Sequence, residues 1–296
     1  MSEIFKKSPW NIHILVVGMG EIGRPIFEII EENSEYTVYG EDLDISKCSP
    51  NLSKIPDEID IMHICIPCKD MVSFIKTVSI CYKKYTPKLL IINSTVPPRT
   101  THFIADVLQE YKPNNKPDCL IAHSPMFGTH YNDEEMKDQF IYYPHIIGGI
   151  NQQSSQVTDD YFKELEFTTM IVSSPLESEI MKIMETTYAG WMITFFNEFH
   201  RMAMYYDAEF PEIVGALAKT YEPRREKPIW FPSVIEGHCI MQNIDLLLQP
   251  NVYNAGFLEL IKASNDLRKE EILDEKIKED IEKIKIIKDE MNHDKS

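Results

Sequence analysis

The chain has 296 residues, enough for two domains of ordinary size, and its 43% hydrophobic and 26% charged residues exclude a disordered or low-complexity protein. A formal charge of −17 excludes a general nucleic-acid binder, because neutralising phosphates takes a clustered excess of Lys and Arg. The opening "MSEIFKKSPW" has no apolar leader and no run reaches the roughly eighteen apolar residues of a membrane span, so a cytoplasmic protein without a membrane partner is expected.

The first element is "NIHILVV", residues 11–17, a short β-branched run that reads as a strand. "GMGEIG" follows directly. Ile22, Ile26, Phe27, Ile29 and Ile30 then recur at helical spacing. A second run, "YTVYG", ends in "EDLD", and further runs follow at 59–67, 88–95, 118–125, 145–150 and 167–174. Amphipathic segments such as "MVSFIKTVSICYKKY" and "TTHFIADVLQEY" lie between several of them, which predicts an α/β fold with a doubly wound, mostly parallel sheet of Rossmann type. The last two runs show little between them to form a crossover helix, so a mixed far edge is expected.

After Ser174 the pattern changes to helices. "PLESEIMKIMETTYAGWMITFFNEFHRMAMYYDA" is too densely apolar for a helix with one wet face, and predicts a central helix buried on several sides or at a subunit contact. "PEIVGALAKTY" is a shorter helix, and "EPRREKP" a loop. From Arg268 on, apolar residues from Leu273 to Met291 spaced mostly three or four apart, among charges of both signs, predict a charged amphipathic helix. The expected division is a dinucleotide-binding domain over 1–174, an all-helical domain over 175–268 and a charged C-terminal helix or tail over 269–296.

The glycine turn lies between a predicted strand and a predicted helix, the context in which G-x-G-x-x-G holds a dinucleotide. Gly18 suits the tight turn, Gly20 the approach of a pyrophosphate and Gly23 the packing of helix on strand, so Gly18, Met19, Gly20, Glu21, Ile22 and Gly23 are the candidate cradle. Asp42 stands at the end of the second strand, where a carboxylate accepts ribose hydroxyls; Glu41 and Asp44 are its neighbours. No Arg follows Asp42 closely and Lys47 is the nearest cation, which favours NAD over NADP.

The six cysteines are scattered, which excludes a disulfide scaffold, and the single pair in "CIPC" (Cys65 and Cys68) lacks the second pair or histidines of a zinc site, so no metal is expected. Cys239, in "GHCIMQN", reads either as a nucleophile or as a small apolar side chain packed in place. Arg224 and Arg225 form a guanidinium pair suited to a substrate phosphate or carboxylate, or simply a solvated loop.

Several of these motifs occur in one order. "GMGEIGRP", the strand end "CIP", "NSTVPPRTT", "HIIGG", "MKIMETTY", "FFNEF" and "GHCI" resemble the UDP-glucose/GDP-mannose 6-dehydrogenases from about residue 12 to "NDLR" at 265–268. The resemblance implies NAD on a Rossmann domain, with Pro67 and Thr95 beside the cofactor, and a homodimer formed through the long central helix. It implies Cys239 as the thiol that attacks an aldehyde intermediate, Lys182 as the oxyanion stabiliser or general acid/base, and Thr95 as the threonine near the nicotinamide. Such a thiol needs a lowered pKa or a nearby base, for which Lys182 and His238 are the candidates, His238 reading more simply as a loop histidine bonded to backbone. The family's asparagine four residues after the lysine is Thr186 here and its aspartate four residues after the cysteine is Asn243, both counted with the catalytic set. Met126 and His130 stand where the family carries glutamates. The family also continues past "NDLR" into a second Rossmann-like domain that grips the nucleotide, which is not expected in this chain. The expected function is hydride transfer between NAD and an alcohol or carbonyl of a sugar-like or hydroxy-acid substrate; the rival is a catalytically silent, NAD-binding regulatory or partner subunit. Substrate, direction and the choice between two- and four-electron oxidation stay open.

Overall fold

The computed structural model describes residues 12–111, 118–127, 133–221, 230, 232–236, 238–249 and 256–293. They form two compact units, 1–183 and 184–296, with the division inside one long helix.

The first unit contains strands β1 (His13–Val17), β2 (Thr37–Glu41), β3 (Ile61–Ile64), β4 (Leu89–Ile92), β5 (Leu120–His123), β6 (His145–Gly149) and β7 (Thr169–Ile171). Helices α1 (Gly23–Asn33), α2 (Met71–Tyr85), α3 (Thr100–Tyr111), α4 (Asp133–Tyr142) and α5 (Gln152–Glu164) connect them. The sheet order is β2-β1-β3-β4-β5-β6-β7, parallel throughout except at β5–β6. Side chains alternate between two cores: Ile14, Val16, Leu89 and Ile91 pack with α1, α4 and α5, while Leu15, Val17, Leu90 and Ile92 pack with α2 and α3. Both faces are covered, which is why the strands read as unbroken apolar runs.

The far edge is mixed, but not where the sequence placed the break. Residues 152–164 form α5, whose Asn151 side chain caps the helix by accepting from Ser154 N, and β6 and β7 are parallel. The helix was hidden because its apolar face is interrupted: Ser154, Ser155 and Thr158 are buried with Val157, Tyr161 and Phe162.

The chain runs from β1 outward to β2 and then crosses to β3 on the other side, so the carboxyl ends of β1 and β3 flank a crevice, the position where open α/β sheets bind ligands. Gly18 sits there at φ +93°, and a Cβ on it would meet the Cys65 carbonyl at 2.7 Å. A Cβ on Gly23 would lie 1.7 Å from the Gly18 carbonyl oxygen, whereas one on Gly20 would meet nothing within 4 Å.

The long helix α6 (Pro175–Tyr205) is continuous over 31 residues. It is followed by α7 (Phe210–Tyr221), α8 (His238–Leu247), α9 (Phe257–Glu271) and α10 (Glu275–His293). The segment after Arg268 is not one helix. α9 runs on to Glu271, and Asp274 opens α10 by accepting from the backbone of Lys276 and Ile277. Ile277, Ile281 and Ile284 are buried, so α10 is part of the second unit's core.

Arg268, fully buried, ties these helices together: Nη2 donates to the Asn197 carbonyl at 3.1 Å, Nη1 lies 3.2 Å from His200 Nδ1, and Glu271 lies 3.2 Å from Nε. Since Arg only donates, His200 Nδ1 accepts, and the proton on Nε2 goes to Asp280 of α10 at 3.1 Å. Burial lowers the His200 pKa, in keeping with this neutral tautomer.

Two outcomes are expected. Arg268→Ala should cost roughly 3–5 kcal/mol, read as a lower urea midpoint, because it takes the guanidinium away from Glu271, His200 Nδ1 and the Asn197 carbonyl; a parental midpoint would refute the hub. Gly23→Ala should lower Tm or abolish folding while Gly20→Ala leaves Tm unchanged, since only the first adds an atom against backbone; equal melting of the two would contradict this packing.

Candidate functional site

At the crevice, Gly18 N donates to the Glu41 carbonyl at 2.8 Å and Met19 N to Asp42 Oδ2 at 2.7 Å, so the turn is stitched to the end of β2. The Met19 side chain is buried against Gly40, where a Cβ would lie 2.6 Å from its sulfur. Glu21 is exposed and Ile22 half-buried; no side chain caps the start of α1, leaving a helix amino end of the kind that attracts a phosphate. Asp42 Oδ1 also accepts from Asp44 N at 2.9 Å. Each carboxylate oxygen keeps a second lone pair for a ribose hydroxyl, so the group fits a dinucleotide. Arg24, which the sequence did not single out, reaches across to the Lys47 carbonyl at 3.4 Å and brings a guanidinium beside this loop. Cys48 lines the loop from the other side, accepting from Asp42 N at 3.3 Å.

The next ends along the sheet are those of β3, β4 and β5. Pro67 is exposed and follows Ile66, whose carbonyl accepts from Ser94 Oγ at 2.6 Å. Thr95 is half-buried in the turn that carries the chain into α3, a turn containing Arg99 at φ +75°. Both Ser178 and Glu179, at the start of α6, bond into this region. Glu179 is fully buried and accepts from Arg99 N (2.6 Å), Thr101 N (2.8 Å) and Thr101 Oγ1 (2.7 Å). Burial pushes its pKa up to about 7 against the pull of these donors. Ser178 Oγ lies 2.7 Å from His123 Nδ1, whose Nε2 lies 3.2 Å from the Ser94 carbonyl. That carbonyl only accepts, so His123 Nε2 carries the proton. Burial, with the Lys182 charge adding, lowers the His123 pKa to about 4.

Lys182 stands one turn beyond, with Nζ 4.9 Å from the centre of the Phe127 ring just past β5. Met126, at the family's acid position, is buried in the apolar core and brings no charge here. The structure thus assembles the glycine turn, Asp42, Thr95 and Lys182 along the carboxyl ends of one sheet. The supports Ser178, Glu179 and His123 went unnoticed in the sequence because each reads as an ordinary helix or strand residue.

In the second unit, Cys239 is half-buried in the first turn of α8 and Asn243 follows one turn later on the same helix. Asn243 Nδ2 donates to Thr186 Oγ1 on α6 at 2.9 Å, and both residues are buried. The two departures from the family pattern are therefore bonded to each other as a neutral pair. His130, Arg224, Arg225 and Gly237 lie outside the described residues, as does the side chain of His238. Among the described residues, no group of three His, Cys, Asp or Glu side chains is placed to hold a metal ion, and no helix is long and apolar enough to cross a membrane.

No model of a known protein family matches the chain. A curated relative, the UDP-N-acetyl-D-mannosamine dehydrogenase of Methanococcus vannielii, is 23% identical over 291 residues, covering 86% of this chain and 65% of its own length. The solved UDP-D-ManNAc dehydrogenase of Pyrococcus horikoshii shares the fold with a TM-score of 0.71 at 21% identity, covering 87% of this chain and 68% of that one. The 3-hydroxyisobutyrate dehydrogenase of Mycobacterium tuberculosis shares it with a TM-score of 0.62 at 11% identity, covering 89% and 94%. The chain spans 41% to 65% of the length of the curated relatives it matches. Along most of its length the chain is thus similar in sequence to nucleotide-sugar dehydrogenases, and it shares their fold.

Proposed function

We propose that the chain is an NAD-dependent oxidoreductase that transfers a hydride between the cofactor and an alcohol or carbonyl carbon of a sugar-derived substrate. The observation that carries it is the placement of Lys182 at the carboxyl end of β5, on the sheet edge that also presents the glycine turn and Thr95. The turn and the start of α1 hold the pyrophosphate, Asp42 the adenosine ribose, and Pro67 and Thr95 border the nicotinamide. When bound, NAD supplies the hydride acceptor. Lys182, its ammonium beside the Phe127 ring, holds the proton of the reacting hydroxyl or stabilises the oxyanion. Asp42 favours NAD over NADP, and Arg24 beside the same loop narrows that preference.

The neutral Thr186–Asn243 pair favours a two-electron reaction. A thiol adduct route needs a proton acceptor, and an Asn amide cannot serve as one. Cys239 is then an optional nucleophile. The curated relatives are named for UDP-N-acetyl-D-mannosamine, so nucleotide sugars are the first substrates to assay, followed by small hydroxy acids. That none of the six cysteines is in a disulfide suits a cytoplasmic setting.

A homodimer through α6 belongs to the same proposal. Met184, Tyr188, Trp191, Phe195, Phe199 and Met202 recur at four- and three-residue steps down one face and remain 36% to 64% exposed. A single chain therefore does not bury α6 on several sides. Trp191 stacks edge-on with Phe257, and exposed Leu260 and Leu267 extend the apolar face onto α9. An exposed apolar face of this length, opposite the face of α6 that packs in the second unit's core, is what a second copy covers.

With a substrate found by NADH formation, Lys182→Ala should lower kcat by roughly 10²–10⁴-fold while Cys239→Ser turns over like the parent. An active Lys182→Ala protein would remove the lysine from the chemistry. A dead Cys239→Ser protein would restore the thiol route, and tight NADH binding without turnover of any substrate would favour the silent subunit. Asp42→Ala should weaken NADH binding by roughly tenfold or more, measured by fluorescence titration; parental affinity would mean that another group holds the ribose. Phe195→Glu should halve the mass seen by light scattering, and an unchanged mass would locate the interface elsewhere.

A further inference from the structure

Glu179 and Ser178 occupy consecutive positions on α6, and together they bond to both ends of the turn that carries Thr95. Ser178 reaches the leading end through His123, whose Nε2–H meets the Ser94 carbonyl at 3.2 Å. Glu179 takes the trailing end directly, through three donors from Arg99 and Thr101. Between these attachments the turn is closed on itself, with Thr100 Oγ1 donating to the Pro97 carbonyl at 2.6 Å, and Arg99 is held in the left-handed region that a bulky residue avoids. Lys182 follows Glu179 by three residues, on the next turn of the same helix. A carboxylate excluded from water costs several kcal/mol unless it is well bonded, so a capping role alone would be served as well by Ser or Thr, which cap helices without a buried charge. What the longer, bidentate group adds is a fixed distance between two segments that carry different parts of the chemistry.

We propose that Glu179 is a positioning residue: its carboxylate locks the first turns of α6 to the Thr95 turn and thereby sets where the Lys182 ammonium stands relative to the reactive end of the cofactor. The assignment rests on the oxidoreductase reading above. An amide in its place keeps one acceptor oxygen but turns an N–H donor toward the Arg99 or Thr101 amide, so Glu179→Gln breaks the clamp on one side while keeping the size of the side chain.

The test labels lysines of the intact protein with an amine-acetylating reagent, with and without saturating NADH, and reads Lys182 by peptide mass spectrometry; NADH affinity is titrated in parallel. In the parent, NADH should slow Lys182 acetylation about tenfold or more. Glu179→Gln should bind NADH within about threefold of the parent yet lose most of that shielding, and with a turned-over substrate its kcat should fall on the order of tenfold to a hundredfold with KM little changed. Thr101→Val, which removes one bond of the three, should shift the same way more mildly, and Thr101→Ser should restore the parent, which also covers the case of a Glu179→Gln protein that does not fold. Equal shielding of Lys182 in parent and variants overturns the positioning role and leaves the oxidoreductase reading standing. A parent Lys182 that NADH does not shield overturns that reading, and the role with it.

Discussion

The attachment of α6 to the sheet is the constraint on which the candidate site depends. A 31-residue helix that begins in one compact unit and ends in the other has no intrinsic reason to hold its first turns at the end of β5. It does so because Glu179 and Ser178 spend their hydrogen bonds on the backbone of the turn after β4 and on His123. Lys182 then projects to Phe127 as a consequence of helical geometry, three residues being nearly one turn.

The two units solve the same problem in related ways. In the first, a fully buried carboxylate fastens a helix to a turn; in the second, a fully buried guanidinium fastens α6 and α9 and, through His200, α10. In each case the charged group satisfies backbone atoms that a purely apolar contact would leave bare, and specificity of placement is what it supplies beyond burial. The apolar cores give each unit its cohesion, while these buried polar groups give the helices their registration.

The Thr186–Asn243 contact changes how the departures from the family pattern are understood. Taken singly, a lost asparagine and a lost aspartate look like decay of a site. Bonded at 2.9 Å inside the second unit, they form a complementary pair in which a hydroxyl accepts from an amide and no buried charge needs a counter-ion. Both are shorter or less polar than the family's residues, and the pair keeps one hydrogen bond where an unmatched change would have left a buried amide without a partner. The same neutrality is what separates a two-electron proposal from the thiol route.

The sequence by itself determined the alternating strands and helices, the glycine turn with Asp42 after it, the long central helix and the ordered motifs that carry the family resemblance. All of these depend on spacing along the chain: two-residue and three-to-four-residue periods, or a turn whose residues are consecutive. It hid α5, whose buried face is half hydroxyls, and it joined α9 to α10 because the break at Asp274 carries no Gly or Pro. Only the tertiary structure decided that Glu179 is a clamp rather than a surface charge, that Arg24 stands beside the Asp42 loop, that Arg268 is buried, and that Thr186 meets Asn243. Each of those facts joins residues 23 to 80 positions apart, and a side chain's partner across such a distance is set by how elements pack, which local spacing does not encode.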